Sequence, residues 1–78
     1  MPVTVLYSSD NYTYRMLWDE DRERYVGVCS EFPELRYEAT STADALAGIQ
    51  NRVAEEIATL ARLNKPAPEP LAVRKFGR

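Results

Sequence analysis

The 78-residue sequence contains no histidine, a single cysteine, three glycines and no excess of basic residues. Without histidine, the side chain that most often transfers protons near neutral pH is missing, so catalysis has few candidate groups. One thiol, Cys29, makes no internal disulfide and is too few for a structural zinc site. The three glycines are far apart and form no phosphate-binding loop. We therefore expect a protein that is not an enzyme and that holds no metal or cofactor.

Charge and size narrow the class of protein further. Twelve acidic and ten basic residues give a net charge of −2, which argues against a nucleic-acid binder that is basic all over its surface. No apolar run approaches the roughly 20 residues that cross a bilayer, and the N-terminus lacks the basic region of a secretory signal. We expect a cytoplasmic protein that is not associated with a membrane.

A chain of this length can bury only a small hydrophobic core. A domain of this size buries only roughly 60% of the surface that its unfolded chain exposes. Small domains commonly add a disulfide, a metal or a partner chain. Because the first two are not expected here, we predict that the chain associates with itself as a homodimer or homotetramer.

Alternation of apolar and polar residues predicts strands at 12–18 and 25–30. The charged segment between them contains no Asn-Gly or Asp-Gly pair, so we expect a hairpin loop of four or more residues, or strands that run slightly into it. Pro33 cannot donate to a strand ladder, which predicts a corner at Phe32-Pro33-Glu34 and a third strand from Leu35. Gly27 indicates either a bulge or a close approach of another backbone.

A long amphipathic helix follows the strands. Ser41 is the predicted N-cap with Asp44 at the third helical position, and Asn64-Lys65-Pro66 ends the helix near Leu63. Its apolar stripe has spacings of three and four: Leu46, Ile49, Val53, Ile57 and Leu60. We expect this stripe to cover the strand face that carries Tyr12, Tyr14, Met16 and Trp18.

These elements predict a single α+β domain of order β-β-β-α-β, an antiparallel three- to four-stranded sheet with one long helix across one face. The predicted segments are an N-terminal arm or edge strand at 1–11, the three-stranded sheet at 12–40, the helix at 41–63, a proline-rich connector at 64–70, and a short last strand with the tail at 71–78.

The candidate functional residues are mostly acidic. Four carboxylates in the hairpin segment would steer a basic partner, namely Asp19, Glu20, Asp21 and Glu23. An ordinary solvated loop explains these carboxylates better than a divalent-metal or acid–base cluster does. A calcium loop would require a glycine and a spacing that are missing, and Arg22 and Arg24 interrupt the acidic run. At the corner, Glu31 and Glu34 flank Phe32, and we expect rim charges around an exposed aromatic that contacts the partner rather than an acid–base pair.

The C-terminal segment supplies two further hypotheses. Val73 and Phe76 on the predicted last strand are candidates for edge-to-edge self-association. Arg74, Lys75 and Arg78 form the one basic cluster beside an aromatic residue, and they are candidates for contact with nucleic-acid phosphate, the alternative being an ordinary charged terminus.

Several motifs follow one another in a recognisable order: Tyr12-Thr13-Tyr14-Arg15, the acidic hairpin, the stretch from Tyr25 to Leu35, the capped helix start at 39–46, and Pro66-Ala67-Pro68-Glu69-Pro70. In order and spacing they resemble the HicB family of antitoxins, over about residues 12–76. The resemblance implies a β-β-β-α-β domain, described as partly ribonuclease-H-like or like a double-stranded-RNA-binding domain. It implies no catalysis.

The resemblance also implies a partner: a small basic HicA-type toxin, an mRNA-cleaving ribonuclease that HicB domains bind and occlude, commonly as dimers or tetramers. Two features depart from the family pattern. No glycine follows Pro33, and many family members continue into a C-terminal DNA-binding domain that has no counterpart up to Arg78. The leading hypothesis is a non-catalytic antitoxin-like domain. The alternative is a small RNA- or DNA-binding module, or the remnant of a transcriptional autorepressor.

Overall fold

The computed structural model describes residues 11–71, which form a three-stranded sheet with one helix packed across one face. The strands are β1 (Tyr14–Asp19), β2 (Arg24–Cys29) and β3 (Phe32–Ala39), and the helix is α1 (Thr42–Arg62). Both strand pairs are antiparallel and the order is β1-β2-β3, so β2 is central. The predicted α+β class, with a sheet followed by one covering helix, is confirmed for these residues.

The hairpin between β1 and β2 has a regular register, from Tyr14 opposite Cys29 to Asp19 opposite Arg24. Residues 20–23 are the loop, so the two ends of the charged segment belong to the strands. This agrees with the predicted loop of four or more residues and with strands that extend into the charged run.

The third strand begins earlier than the sequence predicted. The turn is at residues 30–31, and Pro33 lies inside β3 rather than at a corner. The pairing register shifts between Val28 and Cys29, which leaves residues 33–35 bulged out of the ladder. Because β3 is the last strand in the order of the described sheet, a proline in such a bulge costs no hydrogen bond of that sheet's ladder. The predicted corner is therefore wrong, and a β-bulge takes its place.

Helix α1 begins and ends close to the predicted positions because both of its ends are closed locally. Ser41 is the N-cap, and its hydroxyl oxygen accepts the N–H of Asp44 at 3.1 Å. Beyond the C-cap, the N–H of Lys65 donates to the carbonyl of Leu60 at 2.8 Å, and Asn64 has a φ of 57°. This is a Schellman motif, in which asparagine adopts the left-handed conformation more readily than most residues.

The core lies between α1 and the sheet face beneath it. It contains the buried side chains of Tyr12, Cys29, Phe32, Leu35, Ile49, Val53 and Ile57, and Tyr14, Met16 and Leu60 pack at its margin. Along the helix the buried residues recur at every fourth position, namely Ala45, Ile49, Val53 and Ile57. The predicted stripe is therefore confirmed at its centre.

Two predictions of burial are wrong. Leu46 is 37% exposed, and its neighbour Ala45 takes the buried position instead. Trp18 is 53% exposed although Tyr14 and Met16, on the same face of β1, are half-buried against the core. Helix α1 packs mainly on β2 and β3, so the hairpin end of β1 extends beyond its cover.

Gly27 marks the closest approach of the helix to the sheet. A Cβ atom at this position would lie 2.6 Å from the carbonyl oxygen of Ala45 and 2.9 Å from Cγ2 of Ile49. No side chain fits there, so glycine allows the backbone of α1 to rest directly on β2. Of the two predicted meanings of this glycine, close approach is correct.

The proline-rich connector returns to the far end of the sheet. Pro70 is fully buried, and the hydroxyl of Tyr12 donates to the carbonyl of Pro68 at 2.7 Å. Leu71, the one described residue of the predicted last strand, has a helical rather than an extended backbone. Residues 1–10 and 72–78 lie outside the described residues.

Candidate partner-binding surface

The hairpin loop is ordered by its own first residue. Oδ1 of Asp19 accepts the backbone N–H groups of Asp21 at 3.1 Å and Arg22 at 3.3 Å. Such a carboxylate-capped turn is a common use of Asp at the start of a loop. Glu23 closes the loop with a φ of 54°, which lets the chain re-enter β2. Asp19 is thus a turn residue as well as a candidate for steering a partner.

The charges of the loop are not balanced within the loop. The guanidinium of Arg22 is drawn away to Glu38 on β3 at 2.9 Å, and Arg36 lies 3.6 Å from the same carboxylate. Glu20, Asp21 and Glu23 are exposed and have no ion-pair partner among residues 11–71. We name these three residues the acidic tip. Its carboxylates form no ion pair with Arg22, although that arginine lies within the same loop.

At the opposite end of the sheet, Glu31 is the centre of a hydrogen-bond cluster. Its Oε2 accepts the N–H of Leu71 at 2.7 Å and the hydroxyl of Thr13 at 3.2 Å, and its Oε1 accepts the N–H of Thr13 at 3.0 Å. Partial burial acts to raise the pKa of Glu31, but the N–H groups of Leu71 and Thr13 and its own N–H outweigh it, so the pKa is lowered. Glu31 therefore joins both ends of the described chain to the β2–β3 turn.

The expectation of an exposed aromatic beside Glu31 is wrong. Phe32 is 3% exposed and packs edge-on against Tyr12, with ring centroids 5.4 Å apart. Glu34, in the bulge, is exposed. The side chain of Phe32 fills the core, so only Glu34 of the predicted contact residues at this end faces solvent freely.

The predicted contact residues form two groups rather than one. The acidic tip lies at the hairpin end of β2, whereas Glu31, Phe32 and Glu34 lie at its other end. Six strand residues span roughly 20 Å. A small partner held at the acidic tip would have to extend along the whole of β2 to reach Glu34.

The face of the sheet opposite α1 carries apolar residues that are not among the predicted site residues. Two shallow depressions of about 310 Å³ and 370 Å³ share Leu17 and Val28 and run along β1 and β2. The first is lined by Leu17, Trp18, Asp19, Glu20, Val26, Val28 and Arg36. It therefore places apolar surface directly beside the acidic tip.

Trp18 itself lies at the hairpin end of β1 and packs edge-on against Tyr25, with ring centroids 4.9 Å apart. Trp and Tyr are the residues most enriched at the centres of protein interfaces. The alternation of apolar and polar residues along β1 placed Trp18 on the face that the helix covers. That pattern alone could therefore not reveal that Trp18 is exposed.

Cys29 shows the properties of a structural thiol. It is 1% exposed, and its Sγ donates to Oε1 of Glu31 at 3.4 Å. Burial raises its pKa, which disfavours the reactive thiolate. Among residues 11–71, no three His, Cys, Asp or Glu side chains come together in a way that could hold a metal ion.

Val73, Phe76, Arg74, Lys75 and Arg78 lie outside the described residues, so the hypotheses about them stay predictions. Within the described part of the chain, no helix combines the length and the apolar character of a membrane span. Comparison of the chain with protein-family models, with curated proteins and with solved structures gives no significant match to any of them.

Proposed function

We propose that this chain is a non-catalytic, HicB-like antitoxin domain that binds and neutralises a small basic toxin of the HicA type, an mRNA-cleaving ribonuclease. The succession of a hairpin, a third antiparallel strand and a capped helix is the arrangement that the resemblance implies for residues 12–63. The single observation that carries the proposal is the acidic tip, whose carboxylates form no ion pair with another of the described residues.

The acidic tip would act mainly on the encounter with a basic partner. Complementary charges speed association and exclude wrong partners more than they add affinity. Arg22 and Arg36 both lie against Glu38, so neither forms an ion pair with the tip. Affinity would come from the adjoining apolar surface at Leu17 and Trp18, which are 44% and 53% exposed.

The test is co-expression of this chain with the small basic protein encoded beside it. We expect the neighbour alone to arrest growth and cleave mRNA, and the two proteins together to permit growth and to co-purify. The double variant Glu20→Lys/Asp21→Lys should lower the association rate by roughly tenfold or more at low salt. The control Glu55→Lys/Glu56→Lys makes the same change in net charge on helix α1, away from the tip.

Two results would contradict the proposal. A neighbour that is neither toxic nor bound would remove the antitoxin assignment. Equal effects of the two double variants would show that net charge, and not the acidic tip, governs the encounter.

A second candidate function, nucleic-acid binding, is supported by the same open sheet face. Arg15, Arg24 and Arg36 lie on that face by strand alternation and are exposed. Binding of labelled RNA or duplex DNA should then weaken steeply between about 50 and 200 mM salt. Absence of binding at the lower salt concentration would exclude it.

A further inference from the structure

Strand β3 is the last strand in the order β1-β2-β3, and no strand among residues 11–71 pairs with its outer side. The bulge at residues 33–35 interrupts the first part of this edge, and beyond it residues 36–39 pair with β2 in regular register. Bulges and prolines blunt the edge of a sheet against pairing with other chains. The part of the edge that suits another strand is therefore residues 36–39.

The backbone groups that point outward from β3 can be assigned from the hydrogen bonds of β2. The N–H of Ser30 donates to the carbonyl of Thr13 at 3.0 Å, so the backbone groups of Ser30 face β1. This orientation alternates from residue to residue along a strand. The groups of Gly27 therefore face β3, where Tyr37 is its partner. It follows that the two neighbours of Tyr37 in β3 point their N–H and C=O groups to the outer edge.

These two neighbours, Arg36 and Glu38, carry opposite charges, so the strand is complementary to itself when it is reversed about Tyr37. We infer that β3 pairs antiparallel with β3 of a second copy of this chain, with the two-fold axis at Tyr37. Arg36 then lies opposite Glu38 of the partner subunit, twice in the dimer. Each such pair exchanges two backbone hydrogen bonds, and directly opposite charges on neighbouring strands are favourable.

The side chains on this edge can make the new ion pair. Both ion pairs of Glu38 within the described residues, with Arg22 at 2.9 Å and with Arg36 at 3.6 Å, use its Oε2. Its Oε1 can therefore accept the guanidinium of Arg36 of the partner subunit. The side chain of Arg36 is 61% exposed, so it can turn toward the outer edge.

Helix α1 leaves room for the second copy, although both helices lie on the same face of the joined sheet. Gly27, on which α1 rests, is directly opposite Tyr37. At the level of the axis the two helices are therefore separated by three strand spacings, roughly 14 Å, whereas helices in contact lie roughly 8–10 Å apart. The ring of Tyr37 lies against Gly48 and is accessible from the outer edge side, and with Tyr37 of the partner subunit it fills this gap.

Neighbouring registers are less favourable. An axis at Arg36 sets two arginines opposite each other, and an axis at Glu38 does the same with two glutamates. Like charges directly opposite each other are destabilising, so charge selects the axis at Tyr37. This pairing is independent of the proposed antitoxin function, and it uses a different surface from the last strand that the sequence predicted.

Cysteine cross-linking tests the register directly. In the proposed pairing Tyr37 is a non-hydrogen-bonded pair with Cα atoms about 4.5 Å apart, which is within the range of a disulfide. Two copies of the exposed Thr40 are offset by six strand positions, roughly 20 Å. Cys29 is buried, so it is a poor competitor for oxidation.

We therefore expect Tyr37→Cys, treated with a mild oxidant, to form a covalent dimer of twice the 8.9 kDa chain, and Thr40→Cys to stay largely uncross-linked. Sedimentation of the unmodified chain should show a dimer at micromolar concentration. A monomer in sedimentation, or equal cross-linking of the two variants, would overturn the proposal.

Charge reversal tests the ion pairs without a change at Tyr37. In Arg36→Glu the two copies set glutamates opposite each other at both pairs, and in Glu38→Arg they set arginines opposite each other. Each variant alone should dimerise more weakly than the unmodified chain by roughly tenfold or more. An equimolar mixture places opposite charges at both pairs and should restore the dimer in sedimentation. A mixture no better than the single variants, with circular dichroism spectra unchanged, would contradict the pairing.

Discussion

Replacing Gly27 by alanine tests how the helix is seated on the sheet. The added methyl group would point at the backbone of α1, 2.6 Å from the carbonyl oxygen of Ala45, whereas non-bonded atoms settle at roughly 3.5–4.0 Å. The obstacle is a helix backbone, and the side chains of Ala45 and Ile49 around it are fully buried. The helix must therefore move away from β2 as a unit.

The expected change in the free energy of unfolding is the difference between two opposing contributions. Overpacking of a core costs about 1–3 kcal/mol, and a rigid backbone obstacle favours the upper part of that range. Replacing glycine in a strand interior recovers about 0.5–1 kcal/mol. We expect Gly27→Ala to lower the free energy of unfolding by about 2 kcal/mol. For a domain of this size, that lowers Tm by roughly 8–16 °C.

Gly48→Ala is the matched control, because it adds the same methyl group to the same interface from the helix side. That methyl group would meet Cγ, Cδ2 and Cε2 of the Tyr37 ring, so the whole ring must swing away from the helix about its Cα–Cβ bond. Tyr37 is 41% exposed, so a side chain gives way here rather than a helix backbone. In a helix interior, alanine is also more favourable than glycine by about 1 kcal/mol. We expect this variant to lose less stability than Gly27→Ala, because the ring of Tyr37 moves and α1 does not.

Urea denaturation followed by circular dichroism measures both variants, with one fixed protein concentration throughout because any self-association makes the apparent stability depend on concentration. A Gly27→Ala variant as stable as wild type, or a Gly48→Ala variant that loses more, would refute the described seating of α1.

Two further predictions concern the core and the Glu31 cluster. Val53→Ala should lower the free energy of unfolding by about 1–3 kcal/mol, because Val53 is fully buried at the centre of α1; an unchanged thermal denaturation curve would show that this face is not core. Glu31→Gln should cost about 1–3 kcal/mol near neutral pH, because it removes the charge and one of the two oxygens that accept hydrogen bonds. Since the pKa of Glu31 is lowered by folding, its contribution is complete above the ordinary glutamate pKa of about 4.3 and is lost as the pH falls through the lower folded value. The difference in unfolding free energy between wild type and Glu31→Gln should therefore shrink on acidification below about pH 4.3, and a constant difference would contradict the cluster.

The features that the sequence predicted well are those whose causes are local. Ser41 and Asn64 close the helix ends through hydrogen bonds within a few residues, and the charged hairpin segment has no apolar residue to bury. The centre of the apolar stripe, at Ile49 and Val53, also follows from spacing along one helix face.

The features that it missed depend on where the helix crosses the sheet. Trp18 and Leu46 belong to apolar stripes but lie beyond the region of contact, and no pattern within a strand or a helix contains that information. Phe32 is buried because β3 begins at this residue, three positions before the predicted start at Leu35, and the bulge follows it. A proline marks a break in the ladder, but the strand order decides whether that break is a corner or a bulge at an edge.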